Sequence, residues 1–185
     1  MKKTIQQAII ILLTGIVFIS FLSKAATDEL PLYSTVYDEQ RDPFKDAMAA
    51  IALAGETNRN VLIEIGGDWC TWCHKIDAFL SDNPDVYQAL HENFVLLKVN
   101  VSDTNENLKF MSGLPPVLGY PHMYVSTGKG KVILSKDTAE FLVMEDYSRQ
   151  KWLDFIDTWS FANNNENITK QTQMSAVEKS TVNQG

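Results

Sequence analysis

The sequence predicts an α/β protein in which helices flank a central mixed sheet of parallel strands and a C-terminal antiparallel hairpin. Short runs rich in Val, Ile and Leu alternate with amphipathic segments, and two late apolar runs are separated by Gly128-Lys129-Gly130. Alternating strands and helices are typical of parallel βαβ units, whereas a glycine-rich turn between two strands indicates a hairpin. The expected element order is α, β, α, β, α, β, β, α, with a mainly parallel sheet.

The first helix and the first strand are predicted before residue 68. Asp42 and Pro43 supply an N-cap and a first-turn proline, which are typical of a helix start. Apolar residues follow at helical spacing up to Gly55, namely Phe44, Ala47, Met48 and Ile51. Residues 61–65 are rich in β-branched side chains and end at two glycines, so they predict a buried strand followed by a turn.

The middle of the chain predicts further helices and a second strand. A helix is expected to start near Cys70, and the Asp-Asn-Pro sequence at residues 82–84 interrupts it before it restarts. Residues 94–101 are almost continuously apolar, as in a parallel strand covered on both faces. Asp103 and Glu106 are placed to cap a short helix that ends near Met111.

The last part of the domain predicts the hairpin and a closing helix. A proline-rich loop at residues 113–121 leads into a strand at 123–125, and the glycine turn separates that strand from residues 131–134. Four aromatic or aliphatic residues then recur at the spacing of one helix face: Trp152, Phe155, Ile156 and Trp159.

The predicted domain spans residues 42–162, and the segments around it differ in composition. Residues 1–25 place two lysines before an apolar run and small residues after it, which predicts a secretory signal peptide, with an uncleaved membrane anchor as the alternative. Residues 26–41 are polar with scattered tyrosines and predict an extended lead-in. Residues 163–185 contain no aromatic residue and are rich in Asn, Gln, Ser and Thr, so they predict a disordered tail.

The leader and the charge narrow the class of protein. A short leader with paired lysines indicates a bacterial protein that is periplasmic or secreted, or anchored to the outer face of the inner membrane, where disulfides persist. The net charge is −7, and it becomes −10 without the first 25 residues, which carry three lysines and no acidic residue. Phosphate binding requires the opposite sign, so no nucleic-acid partner is expected. The chain has 2 cysteines, too few for a stapled mini-protein.

The chemistry of the chain is expected at residues 68–75, Asp-Trp-Cys-Thr-Trp-Cys-His-Lys, between a buried strand and a helix. Cys70 and Cys73 lie within one turn of the helix N-terminus and can close a disulfide. Free N–H groups and the helix dipole favour a thiolate there, so we predict the exposed Cys70 as the nucleophile and the more buried Cys73 as the resolving thiol. A disulfide that only staples the fold is the alternative, although so short a loop adds little stability.

Residues 61–73, Val-Leu-Ile-Glu-Ile-Gly-Gly-Asp-Trp-Cys-Thr-Trp-Cys, resemble the strand, turn and WCxxC active site of the thioredoxin superfamily. The Trp-Cys-x-Trp-Cys-His form is similar to its extracytoplasmic branch, which includes the C-terminal domain of the periplasmic thiol:disulfide interchange reductase. The resemblance covers about residues 43–161. It implies a thioredoxin fold and a protein disulfide oxidoreductase with no cofactor beyond its redox-active disulfide. The sequence departs from the commonest family pattern at Thr71-Trp72, where Gly-Pro is usual.

Two charged residues stand inside the apolar strands, Glu64 in the first and Lys98 in the second. A charge in a buried strand is costly unless it is paired, so we expect the two side chains to meet. The resemblance implies a catalytic role, because thioredoxins carry a buried acid and a lysine at these positions, where the pair assists proton transfer at the resolving cysteine. The alternative is that one charge merely reaches the edge of the sheet.

Five residues are predicted to bind substrate. Pro121 falls where the resembled family keeps a cis-proline facing the disulfide, so a cis Tyr120–Pro121 bond is predicted beside the cysteines. The Tyr120 backbone would then pair with an extended substrate segment. Trp69 and Trp72 are interpreted as shaping a docking surface, with a place in the core as the alternative. His122 stands where thioredoxins usually have Thr, and it is expected to contribute to that surface.

The same cysteines allow a second interpretation, because residues 70–74 match the CxxCH attachment motif of a c-type haem. His74 would then be an axial ligand, with Met111, His122 or Met123 on the far side. The buried strand directly before the motif argues against this, since a haem needs a broad apolar pocket. No metal site is predicted, because no spacing brings the cysteines and histidines together, and His74 is interpreted as an exposed neighbour of Cys70.

These observations together predict a thiol–disulfide oxidoreductase that acts on protein thiols and disulfides outside the cytosol. Its expected partners are its protein substrates and a membrane or periplasmic electron-transfer protein, with membrane contact only through an uncleaved leader. The segment between Cys73 and Pro121 has no room for the large helical insert of the periplasmic oxidase family, so a reductase is favoured over an oxidase. A thioredoxin-like binding module with a static disulfide is a further alternative.

Overall fold

A computed structural model describes residues 32–163 of the chain. In chain order its elements are α1 (Pro43–Thr57), β1 (Asn60–Gly66), α2 (Thr71–Asp82), α3 (Pro84–Asn93), β2 (Phe94–Asn100), α4 (Leu108–Met111), β3 (His122–Ser126), β4 (Val132–Asp137), a 3-10 helix (Thr138–Phe141), β5 (Leu142–Val143), β6 (Asp146–Tyr147) and α5 (Arg149–Thr158). The predicted leader, the start of the lead-in and all but the first residue of the predicted tail, residues 164–185, lie outside the described residues. Within the described range, no helix combines the length and apolarity needed to cross a bilayer.

The central sheet contains four strands in the order β2-β1-β3-β4. β1 pairs with β2 in parallel, and β3 is antiparallel to both β1 and β4, so the predicted mixed sheet with a C-terminal hairpin is confirmed. The expectation of a mainly parallel sheet is wrong. A parallel β3 would require a long crossover, whereas α4 has only 4 residues and the proline-rich loop returns the chain to the end of the sheet where β1 and β2 finish.

Helices cover both faces of this sheet. α2, α3 and α5 pack on one face around Trp152, Phe155 and the inward side chains of the strands. α1 and α4 pack on the other face through Ala50, Ala54 and Phe110. β1, β2 and β3 are buried along their whole length, which explains why their sequences are apolar without alternation.

α1 starts as predicted, because the Asp42 carboxylate accepts hydrogen bonds from the backbone N–H groups of Phe44 and Lys45. The predicted apolar face is partly wrong. Phe44 and Met48 are 44% and 65% exposed, while the small residues Ala50 and Ala54 are fully buried. Small side chains allow the helix backbone to approach the sheet closely, and the larger residues are displaced to the rim of the contact.

α4 is not capped by the predicted acids. Residues 102–105 form a separate turn in which Ser102 and Asn105 exchange backbone hydrogen bonds of 3.0 and 3.1 Å. The helix begins later, after Asn107, whose left-handed backbone (φ 48°) marks the change of direction. Asp103 and Glu106 therefore remain on the surface of the loop that follows β2.

Three features were not predicted: the contact of the lead-in with the sheet, the 3-10 helix, and the hairpin of β5 and β6. Ser34 forms a parallel bridge with Leu97, and its carbonyl accepts the Lys98 N–H at 3.0 Å, so the lead-in runs along the outer edge of β2. β5 and β6 have two residues each, too few to show the two-residue period by which strands are recognised. The hairpin brings Tyr147 close to α2.

Candidate active site

Cys70 and Cys73 form a disulfide at the N-terminus of α2, with their Cα atoms 5.2 Å apart. Cys70 is the N-cap residue, and its sulfur accepts a hydrogen bond from the Cys73 N–H at 3.1 Å. The first N–H groups of a helix have no partner within the helix, so this position offers hydrogen bonds and a positive dipole end to a sulfur anion. The predicted disulfide and the predicted helix start are confirmed.

The expected exposure of Cys70 is wrong for the disulfide-bonded protein. Cys70 is 3% exposed and Cys73 is completely buried, with Tyr37 and the half-buried Trp72 packed against them. The reason is geometric, because the N-cap side chain turns back towards Cys73, which lies on the buried side of α2. Cys70 nevertheless occupies the open end of the helix and Cys73 the first turn, as expected.

Gly66, the last residue of β1, lets the backbone approach the resolving cysteine. A Cβ atom at this position would lie 2.5 Å from the Cys73 Sγ and 2.6 Å from the Tyr37 hydroxyl oxygen, closer than any real side chain tolerates. Gly67 is equally confined, since its Cβ would lie 2.5 Å from the Trp69 indole nitrogen. The two glycines thus permit close packing beneath the disulfide.

Glu64 and Lys98 are directly opposite each other in the β1–β2 register, on the sheet face that α2 covers. The Lys98 Nζ lies 3.8 Å from the Glu64 Oε1, and their side chains are 2% and 1% exposed. The predicted buried pair is confirmed, while its catalytic role stays a prediction. Burial raises the pKa of the Glu64 carboxyl, although Lys98 and a hydrogen bond from Tyr37 oppose that shift.

Two members of this buried network were missed by the sequence analysis. The Tyr37 hydroxyl donates to the Glu64 Oε1 at 2.6 Å, and the Lys98 ammonium donates to the Asp77 Oδ1 at 2.5 Å. Asp77 is half-exposed and connects the network to solvent. It lies four residues after Cys73, one helical turn further on the same face, and that spacing could have revealed it. Tyr37 carries no comparable signal, because it arrives from the lead-in.

Trp69 and Tyr120 form the exposed surface beside the cysteines. Their rings meet edge to face with centroids 5.2 Å apart, and they are 55% and 38% exposed. The Trp69 indole N–H donates to the Val101 carbonyl at 2.7 Å, which holds the ring in place. The structure therefore brings these two predicted substrate-binding residues together on the surface.

A groove of about 840 Å³ begins at this aromatic pair. Its floor includes apolar side chains from α4 and the proline-rich loop, among them Leu108 and Val117. Three acidic residues line it: Glu39, Asp103 and Glu106. No lysine or arginine lines this groove within the described part of the chain.

Trp72 has a separate set of neighbours. Its ring meets Tyr147 of the β5–β6 hairpin edge to face at 6.0 Å, and the Lys75 ammonium lies 3.8 Å from its centroid. Trp72 is half-buried and also packs against the disulfide. Trp72 therefore belongs partly to the core and partly to the predicted docking surface.

The Tyr120–Pro121 peptide bond is cis, and Pro121 is buried. His122, the next residue, pairs with Ile65 at the end of β1, so this bond lies at the end of the sheet that carries the cysteines. The expectation that His122 lies on the substrate surface is wrong, because it is 1% exposed. Its register partner Ile65 lies on the sheet face that α1 covers, so the His122 side chain lies on that face too. The His122 Nε2 is 2.8 Å from the Ser135 hydroxyl oxygen.

The haem interpretation does not fit this geometry. Both cysteine sulfurs are bonded to each other and packed against Gly66 and Tyr37, so neither is free to form a thioether bond to a haem. His74 is exposed, and its Nε2 lies 2.7 Å from the Asp68 carbonyl oxygen, to which it donates. Among residues 32–163, no three His, Cys, Asp or Glu side chains are grouped as metal ligands would be.

The thioredoxin-like family model matches residues 42–125, from the cap of α1 to β3. This chain contains a thioredoxin-like domain. A disulphide isomerase from Xylella fastidiosa Temecula1 is similar in structure, with a TM-score of 0.56 and 24% identity over 70% of this chain and 97% of that chain. This likeness supports the thioredoxin fold, and the prediction of a thioredoxin-like disulfide oxidoreductase is confirmed for its fold and its cysteine pair.

Two further solved structures match less closely. The C-terminal domain of DsbD from Neisseria meningitidis, in its oxidised form, has a TM-score of 0.46 and 18% identity over 70% of this chain and 99% of that chain. A thioredoxin from Thermus thermophilus has a TM-score of 0.44 and 20% identity over 60% of this chain and 80% of that chain. No curated protein matches the sequence.

Proposed function

We propose that this protein is a thiol–disulfide oxidoreductase that exchanges disulfides with protein substrates outside the cytosol and works as a reductase. The observation that carries the proposal is the Cys70–Cys73 disulfide at the start of α2, with the buried Glu64–Lys98 pair behind it. A disulfide that only staples the fold gains nothing from a buried, paired acid whose burial is costly. A redox pair needs such a group to exchange protons with its thiols.

The reaction follows from the positions of the two sulfurs. In the reduced protein, the Cys70 thiolate at the helix N-terminus attacks a substrate disulfide and forms a mixed disulfide, releasing one substrate thiolate. Cys73 then loses its proton, attacks the Cys70 sulfur and releases the second substrate thiolate. The substrate gains two electrons, and the protein returns to the disulfide-bonded form with Cys70 and Cys73 joined.

A protein substrate is supported by the surface around the disulfide. The Trp69–Tyr120 pair and the groove beside it form an open, partly apolar surface that suits an extended polypeptide better than a small molecule. Among the described residues, the charged side chains that line the groove are all acidic, so a substrate segment with basic or neutral side chains is favoured over an acidic one.

A reducing role is supported by the residues around the cysteines. Strongly oxidising pairs have a stabilised reduced form, whereas the two residues between these cysteines, Thr71 and Trp72, carry no positive charge. The buried carboxylate lies on the side of Cys73, where it favours deprotonation of the resolving thiol and so the step that completes reduction of a substrate. The location outside the cytosol rests on the leader-like residues 1–25, and a thiol-donating partner at the membrane or in the periplasm would return electrons to the disulfide.

Trapping of substrates tests this proposal. Cys73→Ser should accumulate mixed disulfides between Cys70 and proteins of a periplasmic extract, detected by mass spectrometry after non-reducing electrophoresis. Cys70→Ser serves as the matched control and should trap none. Equilibration of the wild-type protein with glutathione should give a reduction potential below about −200 mV, and a value near about −120 mV would instead indicate an oxidase. A disulfide that exchanges with neither glutathione nor a protein substrate would support the static binding module.

A further inference from the structure

Tyr37 places a buried hydroxyl group between the resolving cysteine and the buried acid. Its side chain comes from the lead-in, 27 residues before Glu64, and only 9% of the residue is exposed. It packs in the same cluster as Cys70 and Cys73, and its hydroxyl donates to the Glu64 Oε1 at 2.6 Å. One phenol thus touches both the disulfide and the carboxylate.

The geometry at Gly66 limits how far the phenol can be from the sulfur. The position that a Gly66 Cβ would occupy lies 2.5 Å from the Cys73 Sγ and 2.6 Å from the Tyr37 oxygen. The sulfur and the oxygen are therefore no farther apart than the sum of these distances, about 5.1 Å. Because residue 66 is glycine, no side chain of β1 stands between them.

The hydrogen-bonding state of Tyr37 suits a relay. Its only proton is directed to Glu64, so the phenol oxygen keeps lone pairs that can accept another proton. Burial and the neighbouring Glu64 raise the pKa of Tyr37, which keeps the phenol neutral and protonated. The Lys98 ammonium lies 4.9 Å from the centre of the Tyr37 ring and holds the ring from its face.

We propose that Tyr37 relays the proton of the Cys73 thiol to Glu64 during the resolving step, a role that rests on the proposed oxidoreductase function. In the mixed disulfide, the Cys73 S–H proton passes to the Tyr37 oxygen while the Tyr37 O–H proton passes to the Glu64 carboxylate. The Cys73 thiolate then attacks the Cys70 sulfur, and the substrate thiolate leaves. Tyr37 ends as a neutral phenol and Glu64 as a carboxylic acid, which later returns its proton to solvent.

Lys98 is engaged by the two carboxylates of the network. Its ammonium is held by Asp77 at 2.5 Å and by Glu64 at 3.8 Å, so it acts on the charge of the carboxylate. Asp77 is half-exposed and gives the network access to water once the acid has taken up its proton. The relay therefore assigns separate tasks to the phenol, the acid and the lysine.

Stopped-flow reaction of the reduced full-length protein with an equimolar coloured aromatic disulfide, dithiobis-nitrobenzoate, tests the relay. The first release of nitrothiobenzoate reports attack by Cys70, and the second reports resolution by Cys73. Tyr37→Phe should leave the first phase within about twofold and slow the second at least about tenfold near neutral pH, a smaller loss than the roughly 100-fold or more that general acid–base catalysis typically contributes. The difference in second-phase rate between Tyr37→Phe and the wild type should shrink above about pH 8.5, where a thiol loses its proton to water unaided.

Matched variants separate a relay from a structural role. Tyr33→Phe removes the other phenol of the lead-in, whose hydroxyl donates to Asp46, and should change neither phase. Glu64→Gln should slow the second phase as Tyr37→Phe does, and the double variant should be no slower than the slower single variant. Circular dichroism and the thermal midpoint verify that each variant is folded.

Two results would overturn the relay while leaving the proposed function intact. One is a folded Tyr37→Phe protein whose second phase equals that of the wild type near neutral pH. The other is a second phase slowed by the same factor at every pH, which would indicate displaced cysteines rather than a lost proton path. A wild-type protein that shows no second phase would overturn the proposed function itself, and the relay with it.

Discussion

Replacing Lys98 with Met tests how strongly the buried acid depends on its partner. The side chains of Lys98 and Glu64 are 2% and 1% exposed, so neither charge is compensated by water. Met retains most of the length and apolar contact of Lys while removing the charge. Asp77, the other partner of Lys98, is half-exposed and can be solvated after the change. The effect of the variant should therefore come mainly from Glu64.

The size of the effect follows from the cost of an unpaired buried charge. Removing one partner of a buried ion pair typically costs about 3–5 kcal/mol. Glu64 reduces this cost by binding a proton, and each pH unit over which it stays protonated while the unfolded chain does not is equivalent to about 1.4 kcal/mol. The pKa of Glu64 is already raised by burial, and loss of Lys98 raises it further.

The sign of the pH dependence is then determined. A carboxyl whose pKa is higher in the folded state than in the unfolded chain contributes its stability fully below the unfolded value, about 4.3, and that stability is lost as the pH rises towards the folded value. Lys98→Met should therefore lose unfolding free energy relative to the wild type once the pH rises above the folded pKa of wild-type Glu64, by up to about 1.4 kcal/mol per pH unit.

Urea unfolding of the disulfide-bonded protein, followed by tryptophan fluorescence, to which the buried Trp152 contributes, measures this loss at several pH values. Lys136→Met is a suitable control, because that lysine pairs with the exposed Glu140 and should cost no more than about 1 kcal/mol at any pH. Adding Glu64→Gln to Lys98→Met should abolish the extra pH dependence. If Lys98→Met and the wild type give parallel curves, Glu64 does not rely on Lys98 for its charge.

Two further predictions concern the surface and a second buried group. Trp69→Ala should raise the KM for reduction of insulin about tenfold, which corresponds to about 1.4 kcal/mol of binding, and should leave the rate with a small aromatic disulfide unchanged. Steady-state kinetics with both substrates measures this, and equal KM values would show that the Trp69–Tyr120 surface does not bind protein. Burial lowers the pKa of His91 to about 4, so the wild type should lose stability as the pH falls from about 6.5 towards that value. His91→Gln should flatten this acid limb in urea unfolding, and an unchanged limb would show that His91 does not cause it.

Local patterns in the sequence were sufficient for several features of the site. Cys70 and Cys73 are three residues apart beside a strand end, and this spacing alone places both sulfurs on one helical turn. The pairing of Glu64 with Lys98 could be predicted because a charge in a buried strand requires a partner, and each of the two apolar strands contains one charge of opposite sign. In both cases the physical rule connects residue types to a short distance without reference to the rest of the fold.

Other features depend on how distant segments pack. His122 was placed on the surface from its position next to Pro121, but its register with Ile65 turns it into the core. The direction of β3 depends on whether the connection before it crosses the sheet. That connection contains only the four-residue α4 and does not cross, so β3 is antiparallel to β1. Strand register and crossover geometry are properties of pairs of segments, so a single segment does not contain them.

Three features follow from residue types and their spacing: the alternation of helices and strands, the cysteine pair at the start of α2, and the pairing of the two buried charges, Glu64 and Lys98. Tertiary packing, in contrast, brings Tyr37 to the disulfide and buries the predicted nucleophile Cys70 in the oxidised form. Helical periodicity and charge pairing act over a few residues or follow from a single burial rule. The contact of Tyr37 with Glu64 joins residues 27 apart, and it exists because the lead-in runs along the edge of β2 and Gly66 leaves room beside the sulfur.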